Sequence, residues 1–418
     1  MAFQEIHILQ PNFFNKFSCI GPSCKDNCCH DWELPIDKSH YLRYRSEHNQ
    51  QFKELCKRYV KRDPKSSSPD HFATLLLKED GRCGFQDEDR GCRILRLLGP
   101  EALSTTCSVY PRRKAQFIQG YWEYSLSLSC AEAARLALFS QEPLEFSCVC
   151  KTLPPKEDLD QMTPLGIGKN GAVVPPPSYG VSLRQSCMKL MGLHSYSLQE
   201  RILAVGLLLR RIDRLLSVGT PERIPEFCIQ FLNAVEDGEF SGFFDHLEYL
   251  SKAHRAAMQL PAAHLLAGAR QPVMEHLWEV LKPWCEISPS SGEYLIGERA
   301  MDFLIQAARE SGDHLLSSMT SAAERYFLNY MFSSLFPFLY RWEGLSFEEH
   351  GILLAEQYAL LRILLSIDSR STEPQERMIN TVVSLSRLCQ HADLGQDLVK
   401  LSRTVQLDGL AHAAYLLR

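Results

Sequence analysis

Apolar residues recur at helical spacing through the second half of the chain. Ser197-Leu198-Gln199-Glu200 has the form of a capping box, in which a hydroxyl and a carboxylate exchange hydrogen bonds with the first turn. Ile202, Leu203, Val205, Leu208, Leu209 and Ile212 follow on one helical face. Ser346-Phe347-Glu348-Glu349 repeats the signal ahead of a helical segment over 352–367. Thr372-Glu373-Pro374-Gln375 gives it a third time, with proline in the first turn, where its missing N–H does no harm. There is no internal repeat and no low-complexity tract. Residues 181–418 are predicted to form an irregular helical domain.

The front of the chain is mixed. Asp37 predicts a cap for one helix running through Tyr41, Tyr44, Phe52, Leu55 and Tyr59, and Tyr121 to Leu128 alternates as a strand does. Ser129-Cys130-Ala131-Glu132 reads as a further capping box, leading into Ala134, Leu136, Leu138 and Phe139. That puts Cys130 in a first helical turn, where the positive end of the dipole favours a thiolate. Residues 151–180 hold six prolines and four glycines and read as a linker. The expected fold is mainly α: a small cysteine-rich, metal-binding α+β domain over 1–150, the linker over 151–180, and the helical domain over 181–418.

Cysteine usage changes the picture most. Eleven of the fifteen cysteines lie in residues 1–150. Met1 to Gln10 lacks the basic-then-apolar pattern of a signal peptide, so the chain is expected in the cytoplasm with reduced thiols. The stretch Ile202 to Leu209 is too short to span a bilayer, and no membrane partner is expected. Lysine and arginine number 45 against 50 acidic residues, a net charge of -5. The short basic run from Lys57 to Arg62 suits a helix C-terminus, and nothing resembles the clustered basic excess of a nucleic-acid binder.

Cys19, Cys24, Cys28 and Cys29 form C-x4-C-x3-C-C. Cores do not need four thiols side by side, whereas zinc and iron–sulfur clusters do. Cys83, Cys92, Cys107 and Cys130 join them as candidate ligands. Glycines flank Cys83 and Cys92, which lets the backbone turn so that thiolates converge. Eight thiols exceed what one tetrahedral zinc or one four-iron cluster needs. Adjacent Cys28 and Cys29 are expected to point apart, one to a metal and one to packing or a second site. Cys56, Cys148, Cys150, Cys187, Cys228, Cys285 and Cys389 read as buried apolar filling. The spacing is neither that of a zinc ribbon nor C-x3-C-x2-C, since position 31 is Asp31. The choice between zinc and iron stays open on these residues alone.

Phe17-x-Cys19-Ile20-Gly21-x-x-Cys24-x-Asp26-x-Cys28-Cys29-x-x-Trp32, followed by Ile36-Asp37-Lys38, resembles the start of the flagellin lysine N-methylases. These sit within the wider group carrying a CxxCxxCC-type zinc- or iron-chelating domain. Cys83, Cys92, Cys107-x-x-Tyr110-Pro111-Arg112 and Ser127-Leu128-Ser129-Cys130-x-Glu132-Ala133-Ala134 extend the likeness. So do Glu324-x-x-x-x-Asn329-Tyr330-x-Phe332-x-x-Leu335-Phe336-Pro337-Phe338 and Arg387-x-x-x-His391. Gln390 stands before His391 where the family pattern has an acidic residue. The resemblance implies transfer of methyl groups from S-adenosylmethionine to surface lysines of flagellin. It also implies an iron–sulfur cluster, 4Fe-4S, with zinc as the alternative.

That chemistry needs a neutral amine, hence a site that lowers its pKa or supplies a base. It gains from aromatic faces, because sulfonium and ammonium are both cations. Glu324, Tyr330 and His391 are the catalytic candidates, with His350 a further possible base. Tyr121, Trp122 and Tyr124 form one aromatic group, and Tyr326, Tyr330, Tyr340 and Trp342 a second. Each of these residues also has an ordinary reading as core or satisfied surface. No nucleotide-binding turn is legible: Gly166-Ile167-Gly168-Lys169-Asn170-Gly171 lies in the linker with no strand before it and reads as a loop. The rival function is a non-catalytic chelating module that mediates protein interaction.

Overall fold

Ile6 and Ile8 point one way from the first strand and are buried, while His7 between them is exposed. This period of two seats the strand on a core. The computed structural model describes residues 4–26, 28–30, 34–64, 68–118, 121–153, 163–164, 179–245, 247–248, 251–269, 274–290, 292, 294–335, 345–368, 370–390 and 409–418. The strands of its front part are β1 (Gln4–Pro11), β2 (Leu34–Ile36), β3 (Val60–Arg62), β4 (Ala73–Leu75), β5 (Arg112–Ile118), β6 (Tyr121–Leu126), β7 (Phe146–Leu153) and β8 (Thr163–Pro164). A five-stranded sheet runs β7-β1-β6-β5-β8, with β1 parallel to β6 and antiparallel to β7, and β5 antiparallel to β6. A second sheet runs β2-β4-β3.

The helices of the front part are α1 (Lys38–Ser46), α2 (Gln50–Tyr59), α3 (Arg93–Leu98), α4 (Thr105–Val109) and α5 (Ala131–Phe139). Asp37 caps α1 as expected, accepting from the His40 N–H. The single helix expected from Asp37 to Tyr59 is instead two. The chain leaves helical geometry at Glu47, and Asn49 caps α2 by accepting from the Phe52 N–H. Asparagine competes well as a cap and poorly inside a helix. Ser129 does not cap α5, because its hydroxyl is engaged by Tyr110 and Ser127. Cys130 is the N-cap residue instead.

Two cores result, and their boundary does not coincide with residue 150. Leu34, Ile36, Tyr44, Phe52, Leu75, Phe85 and Ile94 form a small core within 34–107. The large core joins Ile6, Ile8, Phe13, Trp122, Leu126 and the alanines of α5 to the helices of the second half. Both faces of β6 are covered. Trp122, Tyr124 and Leu126 face that core, and Glu123 on the other face pairs with Arg184. Strand β7 extends to Leu153, and Thr163–Pro164 pairs with β5, so the segment read as linker contributes to the sheet.

The second half is mainly helical, as expected: α6 (Gly180–Met191), α7 (Leu198–Ser217), α8 (Ile224–Glu236), α9 (Ser251–Ala269), α10 (Glu275–Leu281), α11 (Glu298–Ala307), α12 (Asp313–Ser318), α13 (Thr320–Tyr330), α14 (Phe347–Ile367), α15 (Pro374–Gln390) and α16 (Leu410–Leu417), interrupted by a two-stranded antiparallel ribbon that pairs Glu286–Ile287 with Tyr294–Leu295. The capping boxes at Ser197 and Ser346 are formed. Helix α14 is long and apolar enough by length and composition to cross a membrane, well beyond the stretch at 202–209. Yet 94% of that window is buried inside the protein. It is the central helix of the bundle and meets α7 where two glycines touch. A Cβ on Gly351 would stand 2.8 Å from the Gly206 Cα. Gly351→Ala is therefore expected to push α7 and α14 apart and to lower stability by about 1–3 kcal/mol, read as a lower urea midpoint with an unchanged slope.

Candidate functional site

The cysteine loop owes its placement to contacts made far along the chain. Arg387 Nη2 of α15 donates to Asp26 Oδ1 at 2.9 Å and to the Ser129 carbonyl at 3.4 Å. Lys25 pairs with Glu376 of the same helix at 2.5 Å, and Arg90 donates to the Lys25 carbonyl at 2.8 Å. Other motif segments meet in the same way. Arg112 donates to the Phe17 carbonyl at 3.1 Å and lies over the Phe17 ring. Tyr110 and Ser129 share a hydrogen bond of 2.9 Å, and the Cys83 N–H donates to the Cys29 carbonyl at 2.8 Å. Asp37, besides capping α1, accepts from the Thr105 backbone and hydroxyl, which fastens the turn bearing Cys107.

Cys28, Cys29, Cys83, Cys92 and Cys107 lie within electrostatic reach of one another, and Cys24 and Cys130 lie within reach of Cys28. Cys19 is exposed and its sulfur accepts from the Gly21 N–H at 3.4 Å. Contrary to expectation, Cys28 and Cys29 do not point apart, since their thiols share a hydrogen bond. That bond, with Arg387 nearby, draws the Cys28 pKa down and pushes Cys29 up. Burial pushes Cys83 up to about 11 and Cys107 and Cys130 up to about 12. Each neighbouring thiolate raises the others further.

Three of these sulfurs are nonetheless prepared for charge. Nearby backbone N–H groups, of Phe85 and Gln86 at Cys83, Ile94 and Leu95 at Cys92, and Glu132 and Ala133 at Cys130, favour the thiolate and partly offset burial, although the Cys92 and Cys130 side chains do not cap their helices. Among the described residues no three potential ligands stand close enough, as they lie, to hold one ion. The donor chemistry still fits a thiolate-bound metal. Apart from the exposed Cys19, the thiols are buried or half-buried near one another, they repel one another once ionised, and a cation among them would reverse that sign.

The remaining cysteines divide. Cys187 and Cys228 are buried as expected. Cys148 and Cys150 are exposed instead, because β7 is the edge strand and both lie on its outward face.

The catalytic candidates fare unevenly. Glu324 is held by the buried Arg201 and lies 3.6 Å from His194, so its carboxylate is engaged in joining α7 to α13. His350 is buried, and burial pushes it down to about 4, so it is neutral near pH 7. Tyr330 is buried beside Tyr326, whose hydroxyl donates to Gln357 Oε1 of α14 at 2.7 Å, and Gln357 lies near Tyr330. The Glu356 carboxyl, pushed up to about 8 by burial, lies near Tyr330 and Cys389. Trp122 and Tyr124 are core residues of β6. His391, Tyr340, Trp342 and the loop from Gly166 to Gly171 lie outside the described residues.

The model of the FliB lysine N-methylase C-terminal domain matches residues 184–416, more than half of the chain. The chain belongs to the FliB lysine N-methylase family. It is 32% identical over 145 residues to the lysine-N-methylases of Salmonella typhimurium and Salmonella choleraesuis, a stretch covering 34% of this chain and 35% of each relative. It thus spans about a third of the length of those curated relatives. It is 34% identical over 130 residues to the flagellar biosynthetic protein FliU of Salmonella muenchen, covering 31% of this chain and 75% of that one. No solved structure matches.

In this FliB-family chain the sequence reading missed Glu356 and Gln357. Their signal was an adjacent acid and amide inside an otherwise apolar helix, where a polar pair needs partners. For the thiols, a metal held by them would be lost in Cys28→Ser together with much of the soluble protein, because metal binding is also folding free energy. Cys228→Ser and Cys389→Ser should leave metal content unchanged, as measured by elemental analysis of purified protein.

Proposed function

We propose that this FliB-family chain is a cytoplasmic protein-lysine N-methyltransferase that uses S-adenosylmethionine and acts on surface lysines of flagellin. The observation that carries the reading is the family match over 184–416. A simple chelating module would not need that helical half. The flagellar name of one relative and the methylase names of the others support the substrate and the reaction. The lysine nitrogen attacks the sulfonium methyl, the C–S bond breaks with its electron pair going to sulfur, and the ammonium sheds a proton. That proton passes to solvent; the buried Glu356 carboxyl, pushed up to about 8, is mostly protonated near pH 7 and does not serve as the base.

The cofactor reading is an iron–sulfur cluster, 4Fe-4S, held by a subset of Cys19, Cys24, Cys28, Cys29, Cys83, Cys92, Cys107 and Cys130. Such a cluster would supply a covalent staple between segments far apart in sequence. The gathering of these thiols within electrostatic reach of one another supports thiolate ligation, and zinc is the alternative on the same sulfurs. Protein purified without oxygen should be brown, with broad visible absorption and iron and sulfide in equal amounts. Colourless protein carrying stoichiometric zinc would replace the cluster with zinc.

The reaction is tested by intact mass of monomeric flagellin incubated with the metal-loaded protein and S-adenosylmethionine. The expected result is a ladder of methylene increments that peptide mapping places on exposed lysines. Flagellin of unchanged mass that still binds the protein would favour the interaction module.

A further inference from the structure

Helix α8 ends at Glu236, and the chain then turns twice through left-handed backbone, at Gly238 (φ 91°) and Gly242 (φ 69°), before a short 3-10 turn at Phe243–Asp245. Glycine takes those angles without strain. The turn is pinned from several sides. The Tyr196 hydroxyl donates to the Val235 carbonyl, Ser241 Oγ lies 3.5 Å from that hydroxyl, and the Ser241 N–H donates to the Gly238 carbonyl at 3.1 Å. The turn encloses an open pocket of about 330 Å³ lined by Glu239, Phe240, Ser241, Phe243 and Leu247. Phe243 is 36% exposed. Its ring stacks on Phe240 at 5.4 Å and 14° and meets Phe244 edge-on at 5.5 Å.

The pocket lies in a strongly acidic stretch. No lysine or arginine occurs between Arg223 and Lys252. Glu236, Asp237, Glu239, Asp245 and Glu248 are all exposed, and among the described residues none of the five has an ion-pair partner. Stacked aromatic faces beside a free carboxylate attract a cation on a long apolar stem, which describes a lysine side chain. One lining carboxylate is too few for a hard metal ion, which takes six or more oxygens.

We propose that this pocket is a docking site for a lysine-presenting segment of the protein substrate, distinct from the lysine that is methylated. The proposal rests on the methyltransferase reading and names where its substrate is held. The distinction from the reacting lysine follows from charge. A carboxylate in open solvent keeps an amine protonated, whereas transfer requires it neutral. The pocket therefore captures and orients, and the chemistry happens elsewhere.

The test uses the full-length, metal-loaded protein and monomeric flagellin. Glu239→Gln and Phe243→Ala alter exposed side chains and should leave the fold intact by circular dichroism. Each is expected to weaken flagellin binding, read by fluorescence anisotropy without methyl donor, and to raise KM roughly three- to tenfold at unchanged kcat. Flagellin with acetylated lysines should bind wild type and both variants alike. Unchanged Kd and KM would overturn the proposal. So would a collapse of kcat at unchanged KM, which would make the pocket the reaction site. A dimer seen by sedimentation and abolished by Phe243→Ala would assign the pocket to a second copy of this chain and overturn it too. If wild type binds flagellin through this pocket but transfers no methyl group, the methyltransferase reading fails and the docking site stands.

Discussion

The Asp26–Arg387 ion pair is the contact on which the arrangement of this chain turns. Its partners are 361 residues apart, and it joins the cysteine loop to helix α15. The loop from Cys19 to Cys29 has little apolar surface of its own to bury. Cys19 is exposed, and Ile20, its one large aliphatic side chain, is 42% exposed. It cannot be placed by packing, so polar contacts place it. A charge-assisted hydrogen bond of this kind contributes about 1.5–3 kcal/mol. Lys25–Glu376 adds less, because Lys25 is largely exposed. Arg387 also lowers the Cys28 pKa and reaches the carbonyl beside Cys130, so one guanidinium addresses both sides of the thiol group.

The same helix carries Cys389, which faces Tyr326, Tyr330 and Glu356 within the bundle. Helix α15 thus stands between the thiols and the buried polar group. Anything that stiffens the cysteine loop acts on the position of α15, and through it on the surroundings of Tyr330. This gives a thiolate-bound metal a structural route into the helical half that requires no electron transfer. The large core makes the route rigid, because the sheet strands and α5 pack directly against the helices of the second half.

The helical half was legible wherever the signal was local. Capping boxes at Ser197 and Ser346 and the periodic runs behind them depend on residues three or four apart, and both formed. Ser129 had the same local signature and failed, because Tyr110 and Ser127 compete for its hydroxyl. The break at Glu47–Asn49 was missed because Tyr44 and Phe52 keep helical spacing across it and pack together in the small core. The two-core division was not legible from composition. Cysteine density marked 1–150 as one region, yet β1, β6 and α5 belong to the core of the helices. At the site, the motif residues named candidate participants but not their contacts. Nothing in the spacing of Asp26 and Arg387, or of Phe17 and Arg112, says that they touch. Glu324 looked like a base because its partner Arg201 lies 123 positions away in sequence.

Two opposed electrostatic environments now stand in one helical half. Around Glu356 the protein excludes water, and burial disfavours ionised groups, so a carboxyl there titrates near neutrality. Around Glu239 the surface is open, acidic and aromatic, and it favours a cation as it stands. An enzyme acting on lysine needs both conditions at different sites. A docked lysine is held as an ammonium, whereas a different lysine, the one that reacts, must be neutral when a methyl group moves. One pocket cannot serve both lysines well, because whatever stabilises an ammonium raises the barrier to its deprotonation. Separating capture from chemistry resolves the conflict. On the proposed reading, a protein of net charge -5, which exerts little long-range steering, would concentrate its attraction for lysine in one short turn.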